Sequence, residues 1–113
     1  MAFPPSGPRQ SLSTSQIGTI GENHAARWLV ARGYKTNVNT KLPGSTDIEA
    51  DGQEKILVQV KTAVHPMQPS MPSSDEIRNI KSRATKLGRT AYVALVLIDG
   101  QGNLIGDITW SKP

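Results

Sequence analysis

Asp47 and Glu49, followed by Gln59-Val60-Lys61 within the run ILVQVKT, are the residues of this chain best suited to chemistry. A carboxylate on one strand, with an oxygen ligand two positions before a lysine on the next, suits metal-dependent phosphodiester cleavage. Side chains alternate faces along a strand, so Gln59 and Lys61 share one side, and Val58 and Val60 the other. Asp47 and Glu49 likewise share a side, which leaves Ile48 and Ala50 to pack inward with the valines. One hairpin can thus hold a carboxylate, a carbonyl oxygen and an ammonium over a single spot.

Phosphodiester cleavage needs charge neutralised on the phosphoryl oxygens, a deprotonated water, and a stabilised leaving oxygen. Mg²⁺ held by one or two carboxylates, a carbonyl and waters supplies the first, and Mn²⁺ can substitute for it. Asp47 is the expected central ligand and Gln59 offers its amide oxygen. Lys61 is placed to orient the water and to offset developing negative charge. Glu22 is expected on the edge of the first helix, ~140° around from Ile17, as an outer ligand or a base behind the metal.

The elements that must position these groups follow from local signals. Ser13 and Gln16 form a capping box that opens a helix, in which Ile17, Gly21, Ala25 and Trp28 recur at helical spacing before Gly33 ends it. Gly18-x-x-Gly21 lies inside that helix, where close packing explains it. A short strand is expected over 34–39 and a turn at Pro43-Gly44-Ser45. Strands over 46–50 and 55–62 then form a hairpin around Asp51-Gly52-Gln53-Glu54. The Pro/Ser-rich segment 63–74 is expected to be a flexible loop. Ser73 and Glu76 cap a second helix, whose buried face is Ile77, Ile80, Ala84 and Leu87. Arg78, Lys81, Arg83, Lys86 and Arg89 decorate its remainder, and Arg78, Lys81 and Lys86 are candidates to track a phosphate backbone. Strands over 91–98 and through Trp110 complete an αβββαββ order, an α/β layout with a mixed sheet flanked by two helices.

The helix bearing Gly21-Glu22 and Ala25-Ala26 and ending in Arg32-Gly33-Tyr34, then Asp47, then Gln59-x-Lys61 in a hydrophobic strand, resembles the PD-(D/E)XK nuclease superfamily. VQVKT is similar to the branch that carries Gln where most members carry Glu or Asp, a branch that includes active enzymes. The resemblance implies a restriction-endonuclease-like αβββαβ core and a Mg²⁺-dependent nuclease. In it Glu22, Asp47, Gln59 and Lys61 match the helix Glu, the central Asp, the second ligand and the lysine. Thr46 stands where the motif name has Pro.

Composition sets the frame. The 113 residues suit one domain, expected over 13–113 behind a flexible arm at 1–12. Cysteine is absent, which excludes disulfides and thiolate chemistry. A net charge of +4 favours polyanionic partners without identifying one, and with the nuclease resemblance nucleic acid is expected, DNA before RNA. No apolar run approaches the ~20 residues of a membrane helix, and MAFPPSGPRQ has no signal-peptide pattern, so no membrane partner and a cytoplasmic setting are expected. Two alternatives share the fold: a nucleic-acid-binding module that does not cut, and the nuclease domain of a secreted bacterial toxin paired with an immunity protein. A homodimer is compatible with cutting both strands of a duplex. His24, near the apolar stripe, is expected to be packed rather than a ligand.

Overall fold

A computed structural model describes residues 12–38 and 47–113, with Asp47 described by its main chain only. The arm at 1–11, the turn at Pro43-Gly44-Ser45 and Thr46 therefore lie outside the described residues. Helix α1 (Thr14–Ala31) is followed by strands β1 (Lys35–Val38), β2 (Asp47–Asp51) and β3 (Lys55–Val64). Helix α2 (Ser74–Lys86) then leads to β4 (Thr90–Ile98) and β5 (Thr109–Ser111). The expected element order is the observed one.

Both helices start as the sequence predicts. The Ser13 hydroxyl accepts from the Gln16 N–H at 3.0 Å, while the Gln16 side chain accepts from the Ser13 N–H at 2.8 Å. Ser73 and Glu76 repeat the arrangement at 3.2 and 2.9 Å. Each box satisfies two N–H groups that a helix start leaves without partners. Gly33 and Gly88 follow the two helices with φ of 89° and 68°, the left-handed conformation that turns the chain away.

The strands form one mixed sheet in the order β1-β2-β3-β4-β5. β3 and β4 are parallel and joined through α2, whereas the other neighbouring pairs are antiparallel. β3 runs beyond Thr62, because Ala63 and Val64 continue the pairing to Leu97 and Ile98. The connection to α2 is correspondingly shorter than the expected 63–74.

The alternation predicted for the hairpin is realised. Ile48, Ala50, Ile56, Val58 and Val60 are buried with Ala25 and Leu29 of α1, in a cluster that also takes Ala94, Val96, Ile98 and Ile108. Trp28 and Trp110 pack at its margin with ring centroids 4.7 Å apart. The opposite sheet face buries a smaller cluster of Leu57, Ala91, Ile80 and Ala84, the last two from α2. Burying such side chains stabilises by ~1.5–3 kcal/mol each, so most of the apolar driving force lies on the α1 face.

Candidate functional site

Asp47 is the direct cross-strand partner of Gln59 in the antiparallel β2–β3 register, and Glu49 is that of Leu57. Directly opposed residues point to the same side of a sheet, as do residues two apart on one strand. Asp47, Gln59, Lys61 and Glu49 therefore all belong to the face that carries Leu57 and α2. Among the described residues, Gln59 has no side-chain hydrogen bond, which leaves its amide oxygen available.

Lys61 is not left open. Its Nζ donates to Glu76 Oε2 at 2.7 Å, with the two side chains 33% and 40% exposed. The other oxygen of the same carboxylate, Oε1, accepts the Ser73 N–H. The Lys61 hydrogen bond, followed by that of the Ser73 backbone, holds the Glu76 carboxyl below its ordinary value of 4.5.

The reading of the sequence treated Glu76 only as a cap. A signal for its second role was available. A parallel β3–α2–β4 unit must begin its helix near the carboxyl end of the first strand, and Lys61 lies there. The first turn of α2 is thereby brought to the lysine.

Glu49 is committed elsewhere. Arg89, expected as a surface charge of the second helix, follows that helix and turns in against β2, only 13% exposed. It donates to Asp51 Oδ1 at 2.8 Å and to the carbonyls of Ala50 and Ile56 at 3.3 Å, and its other terminal nitrogen lies 3.5 Å from Glu49 Oε1. Its role is to tie α2's exit to the hairpin. Glu49 therefore answers Arg89.

Glu22 requires a correction. Instead of flanking the buried stripe it is itself buried, 6% exposed, beside Gly21 and Ala25 on α1. The cause is the close approach at Gly21: a Cβ there would collide with Thr62 Oγ1, Cβ and Cγ2. This contact presses the Gly21-Glu22 turn onto β3 at the residue next to Lys61. At Gly18 a Cβ would meet nothing, so only the second glycine of Gly18-x-x-Gly21 has a packing reason.

Arg78, Lys81 and Lys86 are exposed on α2, away from the buried Ile80 and Ala84. Arg78 pairs with Asp75 at 2.9 Å. His24 packs as expected: its Nε2 lies 2.8 Å from the Gly102 carbonyl oxygen and Arg27 approaches Nδ1 at 3.3 Å.

Among solved structures the chain is similar to the Holliday junction resolvase Hjc of the archaeal hyperthermophile Archaeoglobus fulgidus. The TM-score is 0.56 and the identity 24%, over 84% of this chain and 83% of that one. The fold is restriction-endonuclease-like. No protein-family model and no curated protein sequence matches the chain. Within a restriction-endonuclease-like sheet, the β2–β3 hairpin sets Asp47 across from Gln59 and puts Lys61 on the same face.

The donor set suits a hard divalent cation. A carboxylate and an amide oxygen are the ligand types that Mg²⁺ and Mn²⁺ take. Among the described residues no group of three or more His, Cys, Asp or Glu side chains is gathered at metal-binding distance. The side chain of Asp47 lies outside that description.

Proposed function

We propose that this protein is a divalent-metal-dependent endonuclease acting on DNA. The observation that carries the reading is the β2–β3 register, which sets Asp47 directly across from Gln59, with Lys61 two positions further along the same face. Support comes from the restriction-endonuclease-like fold shared with a Holliday junction resolvase.

In this reading Asp47 and Gln59 hold Mg²⁺ or Mn²⁺, while Glu22, buried on α1 against the opposite face of the sheet, stands behind the site rather than among these ligands. The cation supplies charge neutralisation at the phosphoryl oxygens when bound. Lys61 orients the attacking water through its ammonium and offsets negative charge as it develops. Arg78, Lys81 and Lys86 contact phosphates along the flanking duplex, which positions the substrate without reading its bases.

Cleavage of supercoiled plasmid, a synthetic four-way junction and bulk tRNA, each with Mg²⁺, Mn²⁺ or EDTA, tests the proposal. Cutting of DNA that needs metal and is lost in Lys61→Ala is the expected result. A wild-type protein that binds DNA in a salt-sensitive way yet never cuts with either metal would refute catalysis.

A further inference from the structure

The site as drawn has a charge deficit. Asp47 contributes one negative charge to the sheet face, Gln59 none, and Lys61 a positive one. A divalent cation there needs more carboxylate than Asp47 alone to offset both its own charge and that of the lysine.

Apart from the exposed Asp107 just ahead of the edge strand β5, three strands from β2, the other acidic groups near the sheet are engaged or lie on the opposite face. Glu49 and Asp51 face Arg89, and Glu54 accepts the Tyr92 hydroxyl at 2.6 Å. Asp75 pairs with Arg78, and Asp99 accepts from its own turn at Gln101 and Asn103. Glu22 belongs to α1, which packs on the opposite face. The carboxylate that does reach this face is Glu76, 2.7 Å from Lys61 Nζ.

We propose that Glu76 is the second carboxylate of the site, a positioning residue that holds Lys61 over the sheet face and supplies the negative charge that Gln59 does not. The proposal rests on the nuclease reading above and adds to it a residue from α2. The capping box makes the placement rigid. Oε1 is tied to the Ser73 N–H, so Oε2 has a fixed direction and meets the lysine there.

The protein contains its own control for this double duty. In α1 the same capping position is filled by Gln16, whose amide oxygen closes the box without a charge. Glu76→Gln should therefore keep the cap and remove the charge together with the Lys61 hydrogen bond, because the amide nitrogen that replaces Oε2 cannot accept from Nζ.

The test is isothermal titration of Mn²⁺ into the full chain without DNA, comparing wild type, Glu76→Gln and the double variant Gln59→Glu/Glu76→Gln. The charge change should weaken Mn²⁺ binding ~10–100-fold, the range in which groups supporting a metal site act. The added carboxylate at position 59 should recover most of that loss. Cleavage of the four-way junction should follow the same order.

Glu76→Gln that binds Mn²⁺ like the wild type overturns the proposal and leaves the nuclease reading standing. Loss without rescue by Gln59→Glu also overturns it, by reducing Glu76 to a structural support. Wild type that binds no Mn²⁺ overturns both, so the two failures are distinct. Should Glu76→Gln lower the melting temperature, the wild type alone decides. The carboxyl carbon resonance of Glu76 must then shift on adding Mg²⁺, and an unmoved resonance rejects the proposal.

Discussion

The two faces of the sheet are built for different ends. The α1 face is continuous and apolar, with Ile48, Ala50, Val58, Ala94, Val96 and Ile98 fully out of water. On the α2 face β4 stays apolar through Ala91 and the buried Val93, while β3 turns polar after Leu57, through Gln59 and Lys61 to the first turn of α2. One strand serves both: Val58 and Val60 anchor β3 while Gln59 and Lys61 stay partly exposed. The stable face fixes the backbone, and the backbone aims the polar residues of the other.

If that division is right, substitutions on the two faces should separate activity from stability. The largest effect is expected at Lys61. Lys61→Met should lower junction cleavage ~10²–10⁴-fold, the usual share of a positioned acid–base group, with little change in the urea midpoint. An equal fall in stability would mean that the ion pair with Glu76 holds the fold together.

Ile48→Ala should do the reverse, costing ~2–5 kcal/mol in urea unfolding because it opens a cavity in the larger cluster. Gln59→Ala, in the same hairpin but on the other face, should change stability by less than ~0.5 kcal/mol. Comparable losses at the two positions would erase the contrast between the faces.

The seam between α1 and β3 sharpens the comparison. Gly21→Ala should cost ~1–3 kcal/mol through overpacking against Thr62. Thr62→Ala should relieve part of that in the double variant, since it removes Oγ1 and Cγ2, leaving only Cβ in the way, and with Oγ1 a buried hydroxyl that has no hydrogen-bond partner. Additive losses in the double-mutant cycle would place the contact elsewhere.

The smallest effect is a pH dependence at the far end of β3. Tyr92 donates to Glu54, and this bond, with burial, pushes its hydroxyl up from 10.0 to about 12. A raised folded-state pKa gives stability that is complete below 10.0 and is lost as pH rises from there to about 12. Tyr92→Phe should flatten that alkaline fall in the urea midpoint and leave cleavage near neutral pH unchanged.

Local signals made most of this architecture legible in the sequence. The two capping boxes, the glycines after the helices and the alternation in ILVQVKT each depend on neighbours within a few residues, so they could be read directly. Strand ends were less legible because pairing decides them: Ala63 and Val64 stay in β3 only through their partners Leu97 and Ile98. Three features depended on tertiary approach and were missed or misplaced. Glu22 is buried because Gly21 admits Thr62, Arg89 turns in to meet Glu49 and Asp51, and Glu76 reaches Lys61 across the β3–α2 crossover. Each depends on a contact between residues distant in the sequence.

The most direct test of the central claim is to map where Mn²⁺ binds on isotope-labelled protein, using substoichiometric metal and amide line broadening. Asp47, Gln59, Lys61 and Glu76 should broaden first, while amides at the Lys55 end of β3 and at Gly88 stay sharp. Broadening centred elsewhere, or spread evenly over the surface carboxylates, would contradict a metal-binding site on the α2 face.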